Sequence, residues 1–148
     1  MVFRRTTMNL AFYVNSTGKQ NSEVFEALNK AVEDKDITDA SIFYNDIDYN
    51  PVKPKFGMFN STDIWTFTGV LVATTLENTL RALSVVNKFK LMYLYNKDDN
   101  NLIGLLHASN HVSVITKNEE DSKEVYRLTG KIAPVIPNLS VKKILEVA

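Results

Sequence analysis

Hydroxyl groups, a carboxylate and an indole ring follow an apolar run near the middle of the chain. The run covers residues 56–59, and the segment after it carries Ser61, Thr62, Asp63 and Trp65, the only tryptophan. An aspartate can accept a proton from a ligand hydroxyl, and an indole ring can stack on a base or a sugar. These four side chains are therefore predicted to bind a ligand. The alternative is that the aromatic rings pack beneath the loop.

A second group of polar residues lies between the first apolar run and the first helix-forming segment. A helix N-terminus that follows a strand favours an anion such as phosphate. The loop, residues 15–21, has one glycine, so it lacks both the Gly-x-Gly-x-x-Gly fingerprint and the P-loop spacing. Phosphate or sugar binding is predicted here, with plain turn chemistry as the alternative. The predicted ligand-binding residues are Asn15, Ser16, Thr17 and Gly18.

Two adjacent carboxylates, Asp98 and Asp99, follow the apolar run 89–95. A carboxylate at the end of a strand can act as the general base toward a bound hydroxyl group. Aspartates are also common in turns, where they bond to nearby backbone groups. Asp98 is the predicted catalytic residue.

His107 and His111 are four residues apart, so their rings share one face only if that stretch is helical. Asn110 precedes an apparent strand over residues 111–116, which argues against a shared helix. No third ligand is evident, and a chain without cysteine has no thiolate zinc site. We therefore predict no metal site.

Composition narrows the class of protein. The chain has 148 residues, of which 45% are hydrophobic, enough for the core of one domain. Its 17 basic and 17 acidic side chains cancel, so no overall charge draws it to nucleic acid or to a membrane surface. No apolar run is long enough to cross a membrane, and the lack of cysteine fits a reducing compartment. We predict a cytoplasmic protein that does not bind membranes.

Alternating strand and helix patterns predict the fold. Apolar runs indicate strands at residues 9–14, 40–44, 56–59, 89–95 and 111–116, and an edge strand interrupted by prolines at 132–137. Helical patterns begin at Ser22 and Ser140 and cover residues 70–86 and 118–128. This order is typical of an α/β fold with a doubly wound, mainly parallel sheet of about five or six strands and helices on both faces. The predicted divisions are an extension (1–8), a Rossmann-like domain (9–138) and a C-terminal helix (139–148).

The right-handed crossover rule puts the loops after these strands on one edge of the sheet. Ligands of open α/β sheets bind outside the carboxyl ends of the strands. The loops that follow Val14, Phe59, Tyr95 and Thr116 are therefore predicted to form one functional surface.

The chain resembles the N-terminal half of bacteriophage DNA β-glucosyltransferase over about residues 9–128. The likeness rests on Phe59-Asn60-Ser61-Thr62 before an aromatic-glycine turn and a helix, and on the strands Lys90-Leu91-Met92-Tyr93-Leu94-Tyr95 and Val112-Ser113-Val114-Ile115-Thr116. In that family two Rossmann-like halves face each other across a cleft. The C-terminal half holds the uridine-diphosphate sugar, and the N-terminal half supplies acceptor-DNA contacts and the catalytic base.

The resemblance implies an auxiliary, phage-type protein. The family's base is an aspartate just after the fourth strand, where this chain has Lys97, followed by Asp98. The chain ends where the second half of the family would begin, so we expect it to bind nucleic acid, a nucleotide or a protein partner without catalysis of its own. The alternative is a glycosyltransferase that acts as a dimer or with a second subunit.

Residues 12–21 are also similar to the phosphate loop of flavodoxins. That similarity implies flavin mononucleotide (FMN) as a cofactor, with Trp65 stacked on its ring system. The loop lacks the Thr-Gly-x-Thr ending, and the net charge is zero whereas flavodoxins that transfer electrons are acidic. A uridine-diphosphate sugar and FMN are thus the two cofactor candidates.

The last helical segment carries an apolar face that needs cover. Val141, Ile144, Leu145 and Val147 lie on it. A face of this kind at the surface marks an interaction site. A homodimer through this helix is predicted.

Overall fold

The computed structural model describes residues 9–85 and 89–148, which contain one parallel sheet. The strands are β1 (Asn9–Ser16), β2 (Asp39–Asp46), β3 (Gly57–Asn60), β4 (Gly69–Ala73), β5 (Phe89–Leu94) and β6 (Ser113–Ile115). Their order is β3-β2-β1-β4-β5-β6. This is the strand order of the Rossmann fold, so the predicted α/β class is confirmed. The predicted extension, residues 1–8, lies outside the described residues.

Helices cover both faces of the sheet. The α-helices are α1 (Ser22–Glu33), α2 (Leu76–Leu83), α3 (Leu102–His111), α4 (Glu119–Thr129) and α5 (Val141–Val147). Successive residues of a strand point to opposite faces. Leu10 and Phe12 of β1 pack in one core with α1 and α5, whereas Ala11 and Tyr13 pack in a second core that α2 joins. The central strand is buried on both sides, as its continuous apolar run predicted.

The predicted helix 70–86 is wrong in its first part. Gly69–Ala73 forms β4, which pairs with β1 on one side and with β5 on the other, and α2 covers only Leu76–Leu83. Valines suit a strand that is buried on both faces, and the ladders to two neighbours favour the extended form. The connection from β3 to β4 is made by a short 3-10 helix, Ser61–Thr66, and not by an α-helix. Residue 86 lies outside the described residues.

The C-terminal part of the chain agrees with the sequence-based prediction in one feature and differs from it in two. Gly130 closes α4 in the left-handed conformation with φ 75°, as predicted. The predicted edge strand 132–137 is reduced to a single bridge between Thr116 and Val135. The apolar face of α5 is covered within the chain, since Val141 and Ile144 are buried in the same core as α1. The expectation that this face needs a second copy for cover is wrong.

Candidate functional site

A cleft of about 550 Å³ opens at the carboxyl ends of β1, β4, β5 and β6. The chain leaves β1 through α1 on one face of the sheet, and it leaves β4 through α2 on the other. The loops after these two adjacent strands therefore diverge, which leaves a crevice between them. Such a switch point is where open α/β sheets bind their ligands. The predicted location, the carboxyl edge of the sheet, coincides with this cleft.

The β1 side of the cleft is a loop held by its own hydrogen bonds. Thr17 is 2% exposed, and its hydroxyl donates to the Asp48 carbonyl and accepts from the Asp48 amide, both at 2.7 Å. The Ser16 hydroxyl accepts from the Gly18 amide at 3.0 Å. The Asn21 side chain donates to the Ser16 carbonyl at 2.6 Å. Ser16, Thr17 and Gly18 therefore shape the loop, whereas the side chains that line the cleft from it are Asn15, Gln20 and Asn21.

The β4 side is fixed by threonines and a buried amide. The backbone amide and hydroxyl of Thr74 donate to the Tyr13 carbonyl at 3.1 and 3.3 Å. The Thr75 hydroxyl caps α2 by accepting from the Asn78 amide at 3.1 Å. Asn78 is fully buried, and its side chain accepts from the Asn45 side chain at 3.0 Å. These bonds place the cleft-lining Thr74 and Thr75 in one arrangement before any ligand arrives.

The β5 side contributes Asn96, Lys97 and Asp98. Asn96 Oδ1 accepts from the Asp98 backbone amide at 3.0 Å, and the Asp98 side chain is exposed at the cleft. Asp99 does not line the cleft. It lies beneath the loop, where it accepts hydrogen bonds from the Tyr93 hydroxyl and the Leu76 amide. Burial, and then the bond to Asp99, raises the pKa of the Tyr93 hydroxyl well above its usual range.

Charged groups of both signs close the cleft on the β6 side. Lys117 forms an ion pair with Glu23 at 3.0 Å, which joins the β6 loop to the first turn of α1. Asn118 caps α4, since its side chain accepts from the Asp121 amide at 2.8 Å. Buried Tyr95 also borders the cleft, and burial, with Glu124 and Asp121 adding to it, raises its pKa. The lining therefore has two lysines (Lys97 and Lys117) against three carboxylates (Glu23, Asp98 and Asp121).

The structure separates the sequence-predicted site residues into groups. Asn15 and Asp98 both line the cleft. Ser61 and Thr62 follow β3, which is separated from β4 by β2 and β1. Asp63 lines a different groove with Asn9 and Asp39, the first residues of β1 and β2, at the opposite edge of the sheet. Trp65 lies between Asp63 and Thr66 in the same 3-10 helix and is 66% exposed.

Several lining residues were not predicted from the sequence. Thr74 and Thr75 fell inside the helix that was predicted for residues 70–86. Thr75 lies two residues before Glu77, and its side chain accepts a hydrogen bond from the Asn78 amide, three residues later. This N-cap pattern is the signal that could have divided the segment into a strand and a helix. Asn118 before Glu119 is a second cap signal, and it also marks the mouth of the cleft.

The two histidines do share a helix, so the expectation that an apparent strand over residues 111–116 argues against one is wrong. Asn101 caps α3 by accepting from the Gly104 amide at 2.8 Å, and the helix continues through His111. Across residues 9–85 and 89–148, no group of three or more His, Cys, Asp or Glu side chains could hold a metal ion. No helix in this part of the chain is long and apolar enough to cross a membrane.

Comparisons with known proteins leave the family open. No family model matches the chain, and no curated protein or solved structure is significantly similar to it.

Proposed function

We propose that the chain is a binding module whose cleft takes a small, hydroxyl-rich ligand of the nucleoside or nucleotide-sugar class. The observation that carries the proposal is the set of amide side chains around a switch-point cleft. Five amides line it: Asn15, Gln20, Asn21, Asn96 and Asn118. An amide both donates and accepts hydrogen bonds, and so does a sugar hydroxyl. The lining is thus suited to ribose or hexose hydroxyls.

The charges of the lining favour a ligand with few phosphates. Lys117 is engaged by Glu23, and the carboxylates of Asp98 and Asp121 also border the cleft. A polyanion would meet these carboxylates in a site with no excess of cations. Duplex DNA, the acceptor that the glucosyltransferase resemblance implies, is a weaker candidate for the same reason, since its binding depends on neutralised phosphates.

The strand order bears on the flavin alternative. Flavodoxins have the order 2-1-3-4-5, whereas this sheet has the Rossmann order. Trp65, the ring expected to stack on a flavin, is also absent from the cleft lining. These two observations favour a nucleoside or nucleotide sugar over FMN.

Catalysis is the second candidate function. Asp98 lines the cleft and is exposed, so it could accept a proton from a ligand hydroxyl. This arrangement supports the alternative of a glycosyltransferase that works with a second subunit. Transfer from a uridine-diphosphate sugar that is lost in Asp98→Asn would support it, and full activity of that variant would exclude Asp98 as the base.

A thermal-shift series tests the binding proposal. Uridine, uridine-diphosphate glucose, FMN and a short DNA duplex are added separately to the protein. A ligand at about one hundred times its dissociation constant adds roughly 2.7 kcal/mol to the free energy of unfolding, which raises the melting midpoint by several degrees. We expect this rise with uridine or the nucleotide sugar. No rise with either would contradict the proposal, and a rise with DNA alone would replace it.

Two matched variants locate the binding. Asn118→Asp keeps a good helix cap but exchanges an amide in the cleft for a carboxylate. Asn101→Asp makes the same change at the cap of α3, away from the cleft lining. We expect about a tenfold loss of ligand affinity in the first variant, equivalent to one hydrogen bond, and none in the second. Equal affinities would place the ligand elsewhere.

A further inference from the structure

His107 and His111 lie side by side on the outer face of α3. Their ring centroids are 4.6 Å apart, and both residues are exposed. Residues four apart on a helix are neighbours, so the backbone itself brings the two imidazoles together. Neither histidine belongs to the cleft at the carboxyl edge of the sheet. The pair therefore needs an explanation separate from the proposed ligand site.

Two imidazoles at this spacing can hold one divalent transition-metal ion. A zinc ion binds imidazole nitrogen at about 2.0–2.1 Å, so one nitrogen of each ring must come within roughly 3–3.5 Å of the other. Rings whose centroids are 4.6 Å apart can meet this condition by small side-chain rotations. The negative end of the α3 dipole, beside His111, also favours a cation. The positive charge of Lys131 opposes the binding of a cation at this helix end, since its ammonium group already donates a hydrogen bond to the Ser109 carbonyl.

The chain alone leaves such an ion incomplete. Structural zinc sites have four protein ligands, and this chain has two histidines and no cysteine. The described residues offer no cluster of three metal-binding side chains. Two coordination positions are therefore open, and a second histidine pair would fill them.

The surface next to the histidines is apolar. Ile103 lies one turn before His107 on α3 and is 82% exposed. Leu102 and Leu106 lie on the same helix near it and are also exposed. A helix with apolar residues on its outer face is normally covered. Two α3 helices packed against each other would cover these side chains and bring two histidine pairs to one ion.

We propose that the α3 histidine pair binds a divalent transition-metal ion such as Zn²⁺, and that the ion joins two copies of the chain along their α3 helices. The second copy supplies the two missing imidazoles, and the apolar residues of α3 make the adjacent contact. The ligand type selects Zn²⁺, Ni²⁺, Co²⁺ or Cu²⁺ over Mg²⁺, which prefers oxygen.

Sedimentation velocity of the full chain without a histidine tag tests the proposal. Zinc chloride is added from zero to one ion per chain, with magnesium chloride in a parallel series. We expect conversion from monomer to dimer that is complete at one zinc ion per two chains, is reversed by a chelator and is absent with magnesium. One zinc ion per chain without a change in mass, or no zinc binding, would overturn the proposal.

Variants separate the ion from the apolar contact. His107→Ala and His111→Ala each remove one ligand from an exposed position, and both should abolish the zinc-dependent dimer while the melting temperature without zinc stays unchanged. Ile103→Ser keeps all four imidazoles, so it should still form the zinc-dependent dimer but with lower affinity. Zinc-induced association that survives both histidine variants would place the metal at other ligands and overturn the assignment.

Discussion

The Tyr93 hydroxyl donates a hydrogen bond of 2.6 Å to Asp99 Oδ2. The same carboxylate oxygen accepts from the Leu76 amide at 2.9 Å, which ties the loop after β5 to the first turn of α2. The Tyr93 hydroxyl in turn accepts from the Asn96 amide at 3.1 Å. Tyr93 and Asp99 therefore hold the β5 loop and the start of α2 together beneath the cleft. Neighbouring Asp98, in contrast, is exposed at the cleft surface.

Adjacent aspartates should consequently differ in their effect on stability. Asp99→Ala leaves the Tyr93 hydroxyl and the Leu76 amide without their acceptor, and we expect it to lower the free energy of unfolding by about 1–3 kcal/mol. Asp98→Ala removes an exposed side chain and should change it by less than about 0.5 kcal/mol. Urea denaturation of both variants measures this difference. Equal losses would show that Asp99 is not the structural member of the pair.

Alkaline pH should weaken the fold through Tyr93. Burial and the bond to Asp99 raise its pKa in the folded chain, whereas an unfolded tyrosine ionises near about pH 10. Below that pH the hydroxyl keeps its proton in both states and its contribution to stability is fully present. Above it the unfolded chain binds fewer protons, so stability falls by up to roughly 1.4 kcal/mol per pH unit for this one group.

Tyr93→Phe isolates that contribution. The variant cannot ionise at this position, so its stability should fall less steeply between about pH 10 and 11 than that of the unmodified chain. Denaturation curves at matched pH values give the two slopes. Parallel slopes would mean that Tyr93 ionises in the folded chain as easily as in the unfolded one.

Local patterns predict the architecture because the strands of a covered parallel sheet are continuous apolar runs. Leu10–Val14 is recognisable in this way. Val70–Ala73 is just as apolar, but periodicity alone does not distinguish a short buried strand from a buried helical segment. Its pairing with β1 and β5 makes it a strand, and a local pattern does not show pairing with residues that are distant in sequence.

The same limit governs the candidate site. Asn15 and Asp98 were predicted as site residues because both come soon after an apolar run. Thr74 was missed because β4 was not recognised. Asp63 and Trp65 were assigned to the carboxyl edge, but the segment after β3 must return to the other edge to begin β4, and a 3-10 helix makes that return. Only the three-dimensional path of this connection shows at which edge of the sheet Asp63 lies.

Thr17 should hold the β1 loop through its hydroxyl. Thr17→Val keeps the side-chain shape but leaves the Asp48 amide and carbonyl without their partner, so we expect a loss of about 1–3 kcal/mol in the free energy of unfolding and weaker ligand binding. Thr17→Ser keeps the hydroxyl and serves as the control, with a loss below about 1.5 kcal/mol from one methyl group. Denaturation and ligand titration measure both effects. A larger loss in Thr17→Ser than in Thr17→Val would assign the role of Thr17 to its methyl group.

Two glycines with positive φ should respond differently to alanine. Gly69 begins β4 with φ 131°, and an added Cβ would lie 2.4 Å from the Asn9 carbonyl oxygen. That oxygen belongs to the backbone of β1 and cannot move without shifting the central strand, so Gly69→Ala should cost more than about 3 kcal/mol from strain and overlap together.

Gly130→Ala is the matched control for this prediction. Gly130 has φ 75°, and nothing lies within 4 Å of an added Cβ, so only the cost of the left-handed conformation applies, about 1–2 kcal/mol. Urea denaturation of the two variants compares a steric clash with a purely conformational cost. Because φ 131° lies farther from the conformations open to alanine than φ 75° does, the difference between the variants combines the contact between β4 and β1 with extra backbone strain at Gly69. Losses of similar size would mean that the start of β4 can move away from Asn9, and that the register of the two central strands is looser than their pairing indicates.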